Sequence, residues 1–238
     1  MAPNLTFGPR GDQWHYIRSS KRYDLSRGGS NRFTIGTTQG PPETSVTINP
    51  DVSALVVVDM QNYFLDSKVV WLNWGLTDED LATMPASVAR SFARTRINED
   101  DDKPPRNGLG FDLGDGMGRM LVAGEWNSEI YPPLAAAVSP KDTHCAKNRM
   151  SGMWNEKQPL WKYLEESGKR TLLFTGVNTD QCVLGTLTNA YTAGWDCIML
   201  ADCCATTTVN GHDVCGYNVS NSYGFVTDSK AFTSGVSE

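Results

Sequence analysis

Short apolar runs separated by polar, glycine-containing segments dominate the chain from Ala54 onward. Four of these runs occupy residues 54–58, 68–73, 171–175 and 196–200. Runs of this length with few polar positions are typical of strands that are buried on both faces, as in a parallel sheet. We interpret residues 143–146 (THCA) as a further short strand.

Helical patterns separate the later runs. Residues 160–164 (LWKYL) predict a helix that stops at Gly168. Residues 180–193 predict a second helix, with Thr179 or Asp180 as its cap and Gly194 just past its end. Strand–helix–strand alternation of this kind predicts an α/β fold with right-handed crossovers.

The first 50 residues differ from the rest. They are rich in Gly, Ser, Pro and Arg, carry six basic residues against three acidic ones, and show no sustained apolar period. We expect residues 1–50 to form an arm that wraps over its own domain or a neighbouring subunit, with disorder as the alternative. Trp14, Tyr16 and Tyr23 favour packing. Residues 51–238 then form one α/β domain.

Charge and hydropathy exclude several classes of partner. A net charge of −6 argues against binding to nucleic acid or to an anionic membrane. No apolar run approaches the length of about 20 residues that a membrane span needs. The N-terminal sequence lacks the apolar core of a secretory signal, so we expect a cytoplasmic protein. Residues 97–119 are acidic and then glycine-rich, which predicts a long surface excursion, that is, a loop, near the opening of a functional site.

The chain has six cysteines and three histidines. A reducing cytosol keeps thiols free, so the even number of cysteines does not imply disulfides. No two cysteines have the C-x-x-C spacing of a zinc site, and we expect neither a metal nor another cofactor.

Three polar side chains follow predicted strands, where ligands bind in open α/β sheets. They are Asp59, Lys147 and Cys182. A cysteine in the first turn of a helix feels unpaired N–H groups and the positive end of the helix dipole, which favour the reactive thiolate. A nearby Lys147 ammonium would add to this effect. Asp59 could take the thiol proton and pass it to a departing amine.

At these residues the chain resembles the isochorismatase-like cysteine hydrolases, a superfamily that includes nicotinamidases, N-carbamoylsarcosine amidases, ureidoacrylate amidohydrolases and isochorismatases. The matching segments occur in the family's order and cover most of residues 52–230. They are residues 55–62 (LVVVDMQN), 147–154 (KNRMSGMW), 173–183 (LFTGVNTDQCV) and 224–228 (GFVTD). The resemblance implies a three-layer α/β/α fold with a central, mostly parallel sheet of Rossmann-like topology.

The resemblance also implies the site. The family's catalytic triad falls on Asp59, Lys147 and Cys182. A non-proline cis peptide is expected at Val177–Asn178, where it would aim the backbone N–H groups of Asn178 and Cys182 at one oxygen as an oxyanion hole. The candidate substrate-binding residues are Tyr63, Phe64, Asn73, Trp74, Trp126 and Trp154.

Two features narrow the expected reaction. Isochorismatases that cleave a vinyl ether can act without a thiol, so the retained cysteine favours hydrolysis of a small amide, carbamoyl or ureido C–N bond through a thioester. Residues 71–80 (WLNWGLTDED) contain no histidine, unlike the metal cluster of nicotinamidases, whereas Asn73 fits the amide side chain of ureidoacrylate-type enzymes. The alternatives are an isochorismatase proper and a catalytically weakened binding or interaction protein. We expect a homo-oligomer, a dimer or a tetramer, with a small-molecule substrate.

One feature departs from the family. Its members place a long helix between the first strand and the strand that matches residues 68–73, but only seven residues separate Met60 from Lys68. A crossover between parallel strands needs about a dozen residues. Either a segment between Asp66 and Lys68 is omitted from the sequence, or a neighbouring subunit replaces the helix, or the strand pairs differently. We favour omission, which an intact mass matching 238 residues would contradict. A real deletion predicts an exposed apolar sheet face.

Overall fold

A computed structural model describes residues 3–66, 113, 116–119, 121–147 and 149–238 of the chain. The chain divides into two compact units. The first joins Met1–Val58 to His144–Glu238, and the second is Asp59–Thr143. The predicted strand at residues 68–73 and most of the predicted excursion at 97–119 lie outside the described residues. So does the junction between Asp66 and Lys68.

The predicted parallel sheet forms the centre of the first unit. Its four strands, numbered in chain order with those of the second sheet below, are β6 (Ser53–Val58), β7 (Thr171–Val177), β8 (Asp196–Ala205) and β9 (Phe225–Thr227). They lie in the order β6-β7-β8-β9, and every neighbouring pair is parallel. All seven residues of β7 are buried, as expected of a central strand with both faces covered. The α/β fold class with a parallel sheet is therefore confirmed.

The N-terminal arm supplies most of a second sheet in the same unit. Its six strands are β1 (Leu5–Phe7), β2 (Trp14–Ile17), β3 (Arg22–Asp24), β4 (Phe33–Gly36), β5 (Ser45–Ile48) and β10 (Val236–Ser237). They lie in the order β1-β2-β3-β5-β4-β10, and β3 and β5 form a parallel pair. Through β10, the C-terminal end of the described chain completes this sheet.

Six short α-helices occur among the described residues. They are α1 (Asn62–Leu65), α2 (Pro132–Ala135), α3 (Pro159–Glu166), α4 (Leu184–Thr192), α5 (Gly211–Asn218) and α6 (Ser229–Thr233). Helix α3 confirms the prediction from residues 160–164, and Gly168 follows its end with a left-handed φ of 64°. Single 3-10 turns are Arg18–Ser20, Pro50–Val52 and Trp126–Ser128, and π-helical turns are Thr179–Val183 and Val219–Tyr223. No helix of the described segments has the length and apolar character needed to cross a membrane.

Two apolar clusters cover the two faces of the parallel sheet. On one face, Phe174 of β7 packs with Leu164 of α3 and Leu187 of α4. On the other, Leu173 of β7 packs with residues of the arm such as Ile35. In the described residues the layer on this second face is the arm's sheet, a layer that the pattern of helices did not predict.

Strand β6 is covered on only one of its two faces. Val56 and Val58 belong to the helix-side cluster, but the alternate residues Leu55 and Val57 are 61% and 57% exposed. Alternate residues of a strand point to opposite faces, so one face of β6 presents apolar side chains to solvent. A real deletion predicts such a face, and the junction after Asp66, where the helix would lie, is outside the described residues.

Ion pairs fix the arm to the parallel sheet and to the end of the chain. Arg27 pairs with Asp196, the first residue of β8. Arg32 donates from Nη2 to Asp24 Oδ2 at 2.8 Å and from Nε to Glu238 Oε2 at 3.3 Å. Because Asp24 is buried, these bonds also satisfy a charge that burial alone would penalise.

The second unit contains α1, the 3-10 turn Trp126–Ser128 and α2. Gln61 and Ile130 form an isolated antiparallel bridge beside α1. The fully buried Asn127 organises the loop before it, since its Nδ2 donates to the carbonyls of Met117 and Arg119 at 2.8 and 3.1 Å.

Candidate active site

Cys182 lies in the turn between β7 and α4, as predicted. The Val177–Asn178 peptide bond is cis, as the resemblance implied. Residues 179–183 then form a π-helical turn, in which the Asn178 carbonyl accepts from the Gln181 N–H at 3.0 Å and from the Val183 N–H at 3.2 Å. The nucleophile candidate therefore sits in a wider turn than the α-helical one that the sequence predicted.

The predicted cap of this helix is wrong. The residue before the turn is Asn178, and no side chain caps the N-terminus there. The Asp180 carboxylate instead accepts a hydrogen bond from the Thr206 hydroxyl at 2.6 Å, just beyond the end of β8. This bond ties the cysteine-bearing turn to the neighbouring strand of the sheet.

Lys147 is brought to Cys182 by a loop and not by a strand. The predicted strand at residues 143–146 is absent, and these residues have no regular structure. Lys147 Nζ lies 3.5 Å from Cys182 Sγ and donates to the Arg149 carbonyl at 3.1 Å. Cys182 is only 9% exposed, so the ammonium acts on the thiol with little screening by water. An ammonium at this distance favours the thiolate over the thiol.

The five other cysteines lie in different environments. All six thiols are free. Burial raises the pKa of Cys204 to about 12 and that of Cys215 to about 11. Burial also raises the pKa of Cys197, Cys145 and Cys203, and at Cys203 the Asp202 carboxylate contributes to the increase.

Residues 151–153, in the loop that follows Lys147, are buried. Ser151 and Met153 are 7% and 1% exposed. Thr186 of α4 connects this loop to the cysteine turn, because its hydroxyl accepts from the Gly152 N–H at 3.1 Å and donates to the Cys182 carbonyl at 2.7 Å. The sequence interpretation missed Thr186, although a threonine one helical turn after the candidate nucleophile was a usable signal.

Of the predicted substrate-binding residues, Trp154 lies in the unit that contains Cys182. It is 41% exposed, and the Arg149 guanidinium lies 5.3 Å from the centre of its ring. A cation over an indole face is a stabilising pair that holds both groups in place. The sequence interpretation did not single out Arg149.

The second unit holds Asp59 and three further predicted residues. Asp59 adopts a left-handed φ of 51°, a region that non-glycine residues occupy mostly at constrained positions. The rings of Tyr63 and Phe64 meet edge to face with centroids 4.9 Å apart, and burial raises the pKa of Tyr63. Trp126 begins a 3-10 turn, and its carbonyl accepts from the Asn62 side chain at 2.8 Å. Asn73 and Trp74 lie outside the described residues.

No metal site is recognisable in the part of the chain that the structure describes, where no three His, Cys, Asp or Glu side chains are grouped suitably. Ligands bind beyond the carboxyl ends of the strands in open α/β sheets, and the pair of Cys182 and Lys147 lies beyond the end of β7. Comparison with known proteins places the chain within one family.

The chain belongs to the isochorismatase family, since the isochorismatase domain matches residues 53–231. It is 30% identical to the ureidoacrylate amidohydrolase RutB of Methylorubrum extorquens over 239 residues, covering 89% of this chain and 93% of that protein. It is 28% identical to nicotinamidase 3 of Arabidopsis thaliana over 181 residues, covering 76% of this chain and 86% of the relative. The chain is thus an isochorismatase-like hydrolase, and relatives named for amide hydrolysis are among its matches.

The fold agrees with this assignment. An isochorismatase family protein from Desulfovibrio vulgaris superposes with a TM-score of 0.54 and 19% sequence identity, covering 77% of this chain and 97% of that one. The family resemblance drawn from the four sequence motifs is confirmed.

Proposed function

We propose that this protein is a cysteine-dependent amidohydrolase that cleaves a small amide, carbamoyl or ureido C–N bond. The observation that carries the proposal is the 3.5 Å separation of Lys147 Nζ and Cys182 Sγ, with the thiol shielded from water. An ammonium that close lowers the free energy of the thiolate, which is the attacking species in thiol chemistry.

The proposed reaction has two stages. The Cys182 thiolate attacks the carbonyl carbon, and the carbonyl oxygen becomes an oxyanion that the N–H groups of Asn178 and Cys182 receive. The C–N bond then breaks, the leaving nitrogen takes a proton, and a thioester remains on Cys182. Water attacks the thioester carbonyl, which releases the acid or carbamate and returns the thiol.

Asp59 is the proposed carrier of the proton. In the sequence it follows Val58, and Val58 pairs with Gly176 where β6 and β7 end. In the proposed scheme, Asp59 accepts the Cys182 proton before attack and delivers it to the departing amine or ammonia. Lys147 keeps its proton throughout and stabilises the negative charge that moves between thiolate and carboxylate.

The substrate class rests on the relatives and on the residues around the site. Relatives at 28–30% identity are named as acting on nicotinamide and ureidoacrylate, both of which contain a carbonyl bonded to nitrogen. We propose that Trp154 lines the substrate pocket together with Tyr63, Phe64, Asn73, Trp74 and Trp126. The proposed scheme needs no metal or organic cofactor.

The test is release of ammonia or amine from a panel of small amides, ureides and carbamoyl compounds. The parent protein should turn over at least one of them, and Cys182→Ala should lower kcat/KM by at least about a thousandfold with the fold intact. Cys203→Ala is the matched control, since this thiol is exposed, and it should leave turnover unchanged. Equal turnover by Cys182→Ala and the parent would refute the scheme.

We also propose a cytosolic homo-oligomer. The proposed chemistry needs a reduced Cys182, which the cytosol maintains. The exposed pair Leu55 and Val57 supports association between copies, because apolar sheet faces are seldom left in water. Light scattering should give two or four times the chain mass of 26.1 kDa, and a mass equal to one chain would contradict association.

A further inference from the structure

Thr186 makes two hydrogen bonds that join the elements carrying the thiol and the ammonium. Its side chain is 1% exposed. The hydroxyl donates to the Cys182 carbonyl at 2.7 Å and accepts from the Gly152 N–H at 3.1 Å. A single side chain therefore connects the cysteine turn to the loop that follows Lys147.

The loop at Gly152 in turn borders the lysine side chain. A Cβ placed on Gly152 would lie 3.8 Å from Lys147 Cδ, in ordinary van der Waals contact, so there is little more than the space of a methyl group between the loop backbone and the lysine stem. The carbonyl of Arg149, in the same loop, accepts from Lys147 Nζ at 3.1 Å. A lysine side chain has four rotatable bonds, and its ammonium stays at one place only if its surroundings hold it there.

Other threonines of α4 show what an ordinary helical threonine does. Thr188 donates to the Gly185 carbonyl at 3.2 Å and Thr192 to the Thr188 carbonyl at 2.8 Å, so the bonds that these hydroxyls make stay within the helix. Thr186 makes the same kind of bond and also accepts from a separate loop. This second bond distinguishes Thr186 from a threonine that serves its helix alone.

We propose that Thr186 is a positioning residue for the proposed hydrolase, whose hydroxyl holds the Gly152 loop against the cysteine turn and so keeps the Lys147 ammonium at the Cys182 thiol. The proposal rests on the proposed function, because it assigns a purpose to the Lys147–Cys182 pair. Without the hydroxyl, a buried Gly152 N–H loses its partner, and the loop must shift to satisfy it.

The test follows iodoacetamide alkylation of each cysteine by peptide mass spectrometry across a range of pH, with the full chain. Thr186→Val removes the hydroxyl and keeps the shape, whereas Thr186→Ser keeps the hydroxyl. Thr188→Val is the matched control on the same helix. We expect Thr186→Val to slow alkylation of Cys182 at neutral pH by about tenfold and to move its alkylation midpoint to higher pH. Thr186→Ser and Thr188→Val should stay within about twofold of the parent.

The buried thiols report on folding in the same experiment. Cys197 is 1% exposed and Cys215 is 2% exposed, so unfolding would speed their alkylation, whereas loss of positioning slows only Cys182. Thr186→Ala is a second variant that lacks the hydroxyl. Faster alkylation of Cys197 and Cys215 in both Thr186→Val and Thr186→Ala would show that Thr186 serves stability, and it would overturn the proposal. An alkylation profile of Thr186→Val equal to that of Thr188→Val would overturn it as well.

The parent protein separates failure of this proposal from failure of the proposed function. If Cys182 of the parent reacts rapidly at neutral pH and Thr186→Val changes nothing, positioning alone is refuted. If Cys182 of the parent reacts no faster than the exposed Cys203, the activated thiol and its positioning are both refuted.

Discussion

At the scale of single residues, the surroundings of Cys182 distinguish it from the other cysteines. Burial among apolar or acidic groups raises the pKa of the remaining five thiols, to about 11 at Cys215 and about 12 at Cys204. Cys182 is also buried, but a lysine ammonium lies 3.5 Å from its sulfur. Depth of burial is thus shared by several of these thiols, and the adjacent cation makes the difference.

Replacement of Lys147 tests the contribution of that cation. Lys147→Met keeps the aliphatic stem and removes the charge, so the thiolate of Cys182 loses a stabilising partner. We expect iodoacetamide alkylation of Cys182 at neutral pH to slow about tenfold. Lys157→Met is the control, because Lys157 is exposed and outside this contact. Equal alkylation rates in the two variants would contradict the role of the ammonium.

At the scale of elements, the pairing of β6 with β7 depends on Gly176. Val58 pairs with Gly176, and Gly176 has a left-handed φ of 115°. A Cβ at this position would lie 2.1 Å from the Val58 carbonyl oxygen and 2.7 Å from the Val58 nitrogen. Both atoms belong to the backbone of β6, so neither can rotate away. The close approach of these strand ends therefore requires glycine.

Gly176→Ala should separate the two strand ends and lower the free energy of unfolding by about 3 kcal/mol or more. Gly194→Ala is a matched control. Gly194 also has a left-handed φ, 100°, but a Cβ there meets nothing within 4 Å, so the cost should be about 1 kcal/mol of backbone strain. Urea denaturation measures both values. If the two variants lose the same free energy of unfolding, the steric overlap with the Val58 backbone costs nothing, and the prediction is contradicted.

At the scale of the whole molecule, a charged network joins the arm to the end of the chain. The Asp24 carboxylate accepts from the Ser26 hydroxyl at 2.6 Å and from Arg32 at 2.8 Å, and Arg32 also contacts Glu238. Burial of Asp24 raises its pKa, but the hydrogen bonds from Ser26 and Arg32 outweigh burial, and the pKa lies below its ordinary value of 3.8. Asp24 is therefore held in its charged form.

This lowered pKa sets the direction of a pH effect. The unfolded chain takes up a proton at Asp24 at higher pH than the folded chain does, so the stabilisation is present above the ordinary aspartate pKa and is lost as the pH falls below it. Asp24→Asn should cost about 2 kcal/mol near neutral pH and should reduce the loss of stability between pH 5 and pH 2. Thermal or urea unfolding across pH measures this effect.

Glu43→Gln is the control for this experiment. Glu43 pairs with Lys21 at 3.0 Å, but its side chain is 83% exposed, so the change should cost less than about 1 kcal/mol. If Asp24→Asn and Glu43→Gln have the same dependence on pH, the buried network does not hold the arm.

Many local features could be predicted from the sequence, because each rests on a pattern within a few residues. The apolar runs at 171–175 and 196–200 predicted two strands, although both extend further, to Val177 and Ala205. The motif around Cys182 predicted the turn, the helix behind it and the cis peptide at Val177–Asn178. The four motifs together predicted the isochorismatase family.

Other features depend on contacts between distant segments, and only the tertiary structure decided them. Residues 143–146 look like a strand by composition, but no strand among the described segments pairs with them, and they remain irregular. Residues 1–50 show no apolar period, yet five strands form there, and strands from both ends of the chain complete one sheet. Backbone pairing across such distances depends on register and turns that hydrophobic periodicity does not encode.

The candidate site shows the same division. The sequence identifies Asp59, Lys147 and Cys182 as candidate residues, through their motifs and their positions after predicted strands. The approach of Lys147 to within 3.5 Å of Cys182, and the bond from Gly152 to Thr186 beside it, are not readable in this way. Spacing along the chain determines the faces and periods of local elements, whereas the distance between side chains 35 residues apart depends on how those elements pack together.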